Sequence, residues 1–112
     1  MPDKKPQFKR REARVELTGE YEGFSFRVWV NPPARIWNQV FGNQSAADVK
    51  EGLKQVILEH NGWEDFDGNA LPAPTTNEFW DEIPTELAGL IIREAQAESN
   101  RLPFLAPTRR RN

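Results

Sequence analysis

Three carboxylates, Glu64, Asp65 and Asp67, crowd around the Asp67-Gly68-Asn69 turn and raise the question of calcium. In an EF-hand loop a glycine holds position six, with carboxylates at positions one and twelve. Setting Gly68 at position six puts Trp63 at position one and Pro74 at position twelve. Neither side chain offers an oxygen, so no metal site is read here. His60 is the one histidine, and a Ser–His–Asp arrangement would need Ser25, Ser45 or Ser99 as its nucleophile. None of these serines sits on a strand–turn–helix elbow, so His60 is read as structural. Asp81 and Glu82 could do acid–base work as a pair but read as a solvated helix face. The seven glycines are scattered, which leaves no phosphate-cradling loop, and there is no cysteine for a thiolate or a disulfide. No catalytic residue, metal ligand or cofactor site is assigned, and the chain is read as a non-enzyme.

The elements that would position any site must come from 112 residues, which suggests one domain with one modest core. No run of roughly eighteen apolar residues is present, so no membrane-spanning helix is expected. The charged N-terminus is not followed by an apolar stretch, and with no cysteine the reading is cytoplasmic. Net charge is −2, but it is unevenly spread. Residues 1–11 carry Lys4, Lys5, Lys9, Arg10 and Arg11 against Asp3, giving +5 − 1 = +4. Residues 99–112 carry Arg101, Arg109, Arg110 and Arg111, giving +4, so the middle holds −2 − 8 = −10. The ends are read as basic, disordered tails over 1–11 and 101–112, flanking a single domain over 12–100. Without a recognition module beside them, they are read as solvated and not as a nucleic-acid site.

Within the domain, residues 12–31 predict an antiparallel β-hairpin. A two-residue loop at Glu22-Gly23 would pair Tyr21 with Phe24, Gly19 with Phe26, Leu17 with Val28 and Val15 with Val30. One face is then apolar and the other polar, as a half-buried antiparallel pair requires. Ile36, Trp37, Val40 and Phe41 predict a short helix over Ala34–Phe41. Ser45 and Asp48 form a variant capping box for a longer helix. Val49, Leu53, Val56, Ile57 and His60 carry its stripe to a stop at Asn61-Gly62. A short helix holding Phe79, Trp80 and Ile83 follows, then one over about Thr85–Ser99 with Pro84 at its start. The fold class is α+β, a hairpin packed on a small bundle of three to four helices.

Between the two helical regions lies Asn61–Pro74, too rich in proline for helix and too aromatic for a free linker. It is read as an ordered loop with Trp63, Phe66, Leu71 and Trp80 as its anchors. Trp29 falls on the polar face of the hairpin. Tryptophan is enriched in interface hot spots, so Trp29 is the first candidate for a partner-facing aromatic. Arg27 on the same face, and Trp37 and Phe41 of the short helix, complete that candidate set. Coverage of Trp29 by a second layer of the same domain stays open alongside it.

The stretches ELTGEYEGFSFRVWVNPP, NGWEDFDGNALPAPT and FWDEIPTELAGLI together resemble the tail assembly chaperones of long-tailed bacteriophages and prophages. The shared pattern is a hairpin with a Gly turn, Asn-Pro-Pro, a Trp before an Asp-Gly-x-x-Leu-Pro loop, and a final amphipathic helix. It spans about residues 15–95. Asn61-Gly62-Trp63 departs from the more familiar Trp-Asn order. The resemblance implies a non-enzymatic role in the bacterial host cytoplasm during viral morphogenesis. There the chaperone would bind the tape-measure protein and recruit tail-tube subunits. An unpaired hairpin face would also be compatible with self-association. The alternatives are a structural neck or tail-completion component of the particle and a small nucleic-acid-associated regulator.

Overall fold

A computed structural model describes residues 5–42 and 45–100. It is α+β, as expected. Strands β1 (Glu12–Glu16), β2 (Ser25–Trp29) and β3 (Ile57–His60) form an antiparallel sheet in the order β1-β2-β3. Helices α1 (Ala34–Phe41), α2 (Ala46–Val56), α3 (Asn77–Glu82) and α4 (Thr85–Asn100) complete it. The apolar sheet face carries Val15, Phe26, Val28 and Ile57, all buried, and α2 and α4 pack against the sheet. From α4, Leu87, Ile91, Ala95 and Ser99 turn inward at every fourth position, the stripe of a helix with one buried side.

The hairpin keeps its expected faces but not its expected register. Val15 pairs with Phe26, Ala13 with Val28 and Glu12 with Trp29. Every pair is displaced by an even number of residues, so no side chain changes face. The connection is longer than the two residues expected at Glu22-Gly23. A 3₁₀ turn over Gly19–Tyr21 intervenes, and Gly19 and Gly23 take φ of +69° and +98°. Two left-handed glycines let the chain turn away from the sheet where a tight hairpin would have continued the ladder. As a result Tyr21 leaves the sheet and reaches α4.

The second difference is a strand the helical periodicity concealed. Ser45 caps α2 as expected, its Oγ accepting the Asp48 N–H at 3.2 Å. The helix ends at Val56, however, and Ile57–His60 pairs with β2. Val28 faces Ile57 and Arg27 faces Glu59, so Leu58 is an extra residue, a β-bulge. The bulge lets Ile57 and His60 both face inward while Glu59 faces out. A stripe spaced for a helix therefore also serves a bulged strand, and the unpaired edge of β2 decides between them. Its N–H and C=O groups need partners once the sheet is covered.

The expected tail over residues 1–11 is held at its inner end. Asn31 Oδ1 accepts the Arg11 N–H at 2.8 Å, and Asn31 Nδ2 donates to the Lys9 carbonyl at 2.9 Å. Val30 N–H donates to the Arg11 carbonyl, so the segment runs on from β1 alongside β2. The C-terminal tail over 101–112 lies outside the described residues.

Helices α1 and α2 meet closely at Gly52. A Cβ at that position would lie 2.6 Å from Val40 Cγ2 and 3.0 Å from Gln39 Cβ. The absent side chain is what lets the two helices approach.

Candidate functional site

The stretch from Asn61 to Pro74 is built on two side chains. Asn61 Oδ1 accepts the Ser25 N–H at 2.9 Å and the Trp63 indole N–H at 2.6 Å, while its Nδ2 donates to the Gly23 carbonyl at 2.9 Å. It thus ties the hairpin connection to the loop. His60 does the rest. Its Nδ1 accepts the backbone N–H groups of Gly62 and Trp63, each at 3.0 Å. The ring hydrogen is therefore on Nε2, which donates to the carbonyls of Pro72 at 3.0 Å and Leu71 at 3.3 Å. The imidazole lies between Trp63 and Phe79, with centroids 5.4 and 5.5 Å away and planes 24° and 17° apart. His60 joins both ends of the loop and packs them on α3. Sequence reasoning placed it on a helix and Asn61 at a helix stop, so the polar role of each was missed.

The loop tip closes on itself. Leu71 N–H donates to the Trp63 carbonyl at 3.0 Å, and Glu64 bridges Ala70. Asp65 Oδ1 accepts the N–H groups of Asp67 and Asn69, both at 2.9 Å. That is an Asx turn, which commits one Asp65 oxygen to the backbone. Gly68 has φ +85°, as the turn reading required, and no non-glycine residue among those described takes a positive φ.

Three of the four expected anchors hold this loop. Trp63 is 4% exposed, against Phe24 at 5.2 Å and Phe79 at 5.6 Å between centroids. Leu71 is half-buried on the core. Trp80 donates its indole N–H to the Pro74 carbonyl at 2.7 Å. Phe66 is not an anchor: it is 83% exposed. The Asx turn and the Leu71–Trp63 hydrogen bond fix the loop without it, and its ring projects at the tip.

That ring stands beside a cleft of about 260 Å³. Its floor is apolar, formed by Phe24, Trp63, Leu71, Ile83 and Leu87, and its rim carries Glu20, Glu64, Asp65 and Glu82. No Lys or Arg is among the described residues that line it. Tyr21 closes one side, its hydroxyl donating to Glu86 Oε2 at 2.8 Å. That bond to a carboxylate, with lesser contributions from desolvation and the charges of Glu86 and Glu20, pushes the Tyr21 pKa up to about 12. The aromatic and acidic residues come from three separate stretches, and only the altered hairpin connection brings Tyr21 to them.

The candidate residues of the hairpin and α1 lie elsewhere. Arg27 spans the polar face of the sheet, its Nε 3.0 Å from Glu12 Oε1 and its Nη1 bonded to Glu59. The Glu12 contact is an ion pair without hydrogen-bond alignment. Trp29 is half-buried; its indole N–H donates to Asn31 Oδ1 at 3.1 Å, and the Arg10 guanidinium lies 4.0 Å from its ring centroid. That stacking is a cation–π contact, so the N-terminal segment covers part of the ring. Trp37 and Phe41 pack on each other at 4.4 Å and are both half-buried.

Among the described residues, no three His, Cys, Asp or Glu side chains come together to hold a metal ion, and no helix is long and apolar enough to cross a membrane. No family model matches the chain, and no solved structure matches it. The chain is similar to a putative ferric-chelate reductase 1 homolog of Drosophila melanogaster, at 34% identity over a 122-position alignment. The alignment takes in 85% of this chain and 18% of that protein, so the chain spans less than a fifth of the relative's length.

Proposed function

We propose that the chain is a non-enzymatic protein-binding domain, with the role its sequence resemblance implies: a phage tail assembly chaperone. In that role it binds the tape-measure protein and recruits tail-tube subunits in the host cytoplasm. The observation that carries the binding reading is the cleft beside Phe66. At about 260 Å³ it lies near the lower end of the roughly 300–1,000 Å³ of small-molecule sites. It suits one or two anchoring side chains of a protein, and a large exposed aromatic stands at its edge. The stretches ELTGEYEGFSFRVWVNPP, NGWEDFDGNALPAPT and FWDEIPTELAGLI support the chaperone role.

Co-expression with the tape-measure protein of the same tail module tests the role. The chaperone reading expects a soluble complex of the two chains and a tape-measure protein that aggregates without this partner. It also expects finished particles to lack the chain. Stoichiometric presence in purified particles would favour the structural neck or tail-completion reading instead.

A further inference from the structure

We propose that the cleft between the Asn61–Pro74 loop and the start of α4 receives a basic amphipathic helix of a partner protein. The inference rests on the protein-binding reading and adds the chemistry of the partner. Charge is the first ground. Four carboxylates rim the cleft without a described Lys or Arg among its lining residues. The ion pairs of Arg27, Lys50 and Lys54 engage Glu12, Glu59, Asp81 and Glu51, none of which lines it. An acidic rim around an apolar floor repels acidic partners and attracts cationic ones. Shape is the second ground. The lining residues belong to loops and to the α3–α4 junction, and no strand is among them. A bound extended peptide would find no free sheet edge to pair with there. A helix satisfies its own backbone and needs only side-chain contacts.

In this arrangement a Leu, Ile or Phe of the partner enters between Trp63 and Leu87. Phe66 covers it from the tip of the loop. Lys or Arg one helical turn away meets Glu64 and Glu82, since positions three or four apart share a face.

The test uses the full chain and three fluorescent synthetic peptides of about four helical turns. One is a Leu/Lys amphipathic helix, one a Leu/Glu helix of the same pattern, and one a Lys/Ser peptide without apolar residues. The Leu/Lys peptide alone should bind at low salt. Phe66→Ser should weaken it by about tenfold or more, as loss of a hot-spot aromatic does. Glu64→Gln with Glu82→Gln should weaken it by about fivefold, an effect that shrinks as salt is added. Glu51→Gln removes a charge outside the cleft and should leave affinity unchanged. Each variant is checked by thermal melting, and Phe66, Glu64 and Glu82 are all exposed.

Equal binding of the Leu/Glu or Lys/Ser peptide would overturn the proposal. So would Leu/Lys binding that ignores Phe66→Ser and the Gln pair, or that falls as much with Glu51→Gln. The chaperone reading fails separately. If the tape-measure complex forms and survives the cleft variants, the cleft is wrong and the role stands. If the Leu/Lys peptide binds at the cleft while no tape-measure complex forms, the role is wrong and the cleft stands.

Discussion

His60 accepts the backbone N–H of Trp63 at its Nδ1 and stacks on the Trp63 ring, with the centroids 5.4 Å apart. One side chain thus sets both the path of the loop and the position of the aromatic that floors the cleft. The loop acts as a clasp between β3 and α3, and the clasp is polar at its centre.

Replacing His60 separates the two contributions. His60→Phe keeps an aromatic ring between Trp63 and Phe79 but leaves the N–H groups of Gly62 and Trp63 and the carbonyls of Leu71 and Pro72 without their His60 partner. It should cost about 1–3 kcal/mol. His60→Ala loses the ring as well and should cost more. Chemical denaturation of both variants gives the comparison. Equal stability of His60→Phe and the parent chain would mean that these hydrogen bonds do not hold the loop.

Trp63 and Phe66 sit three residues apart with opposite consequences. Trp63→Ala removes a buried ring and should destabilise the chain by about 3–5 kcal/mol. Phe66→Ala removes an exposed one and should change stability by no more than about 0.5 kcal/mol. Thermal melts of the two variants decide whether Phe66 adds anything to the hold that Trp63 has on the loop.

Tyr21 is the only tyrosine, so its ionisation can be followed directly by near-ultraviolet absorbance. Its folded pKa, about 12, lies above the ordinary value of 10.0. The hydrogen bond to Glu86 therefore contributes stability in full below pH 10. That contribution is lost as pH rises through about 12. Glu86→Gln should bring the midpoint back toward the ordinary tyrosine range. An unchanged midpoint would mean that Tyr21 does not bond Glu86 in solution.

Two helical glycines should respond in opposite directions to alanine. A methyl group at Gly89 in α4 would meet nothing within 4 Å, so Gly89→Ala should stabilise by about 0.5–1 kcal/mol through helix propensity. Gly52→Ala gains the same propensity. It also drives a methyl into buried Val40, whose branched side chain has little freedom to move. Overpacking of this kind costs about 1–3 kcal/mol, so the net effect should be destabilising. Melting temperatures of the pair test the close approach of α1 and α2.

Local signals were legible wherever the determinant was local. Ala34–Phe41 is a helix because Ile36 and Val40 recur at helical spacing, and Ser45 caps α2 through a contact three residues away. The faces of β1 and β2 followed from alternation. What was not legible depended on distant partners. Ile57–His60 satisfies a helical stripe, and only the unpaired edge of β2, some thirty residues earlier, makes it a strand. Phe66 looked like an anchor because it is aromatic, but the Asx turn of Asp65 had already fixed the loop. The cleft draws on Glu20, Phe24, Trp63 and Leu87, which no motif joins. Its one signal in the sequence was the −10 charge of the middle of the chain.

Amide and indole NMR spectra of the full chain, recorded while the Leu/Lys peptide is added, tell docking beside Phe66 from docking on the sheet or α1. Docking at the cleft predicts shifts concentrated at Glu64, Phe66, Leu87 and the Trp63 indole, with the indoles of Trp29 and Trp37 unmoved. Shifts centred on Trp29, Trp37 and Phe41 would contradict it.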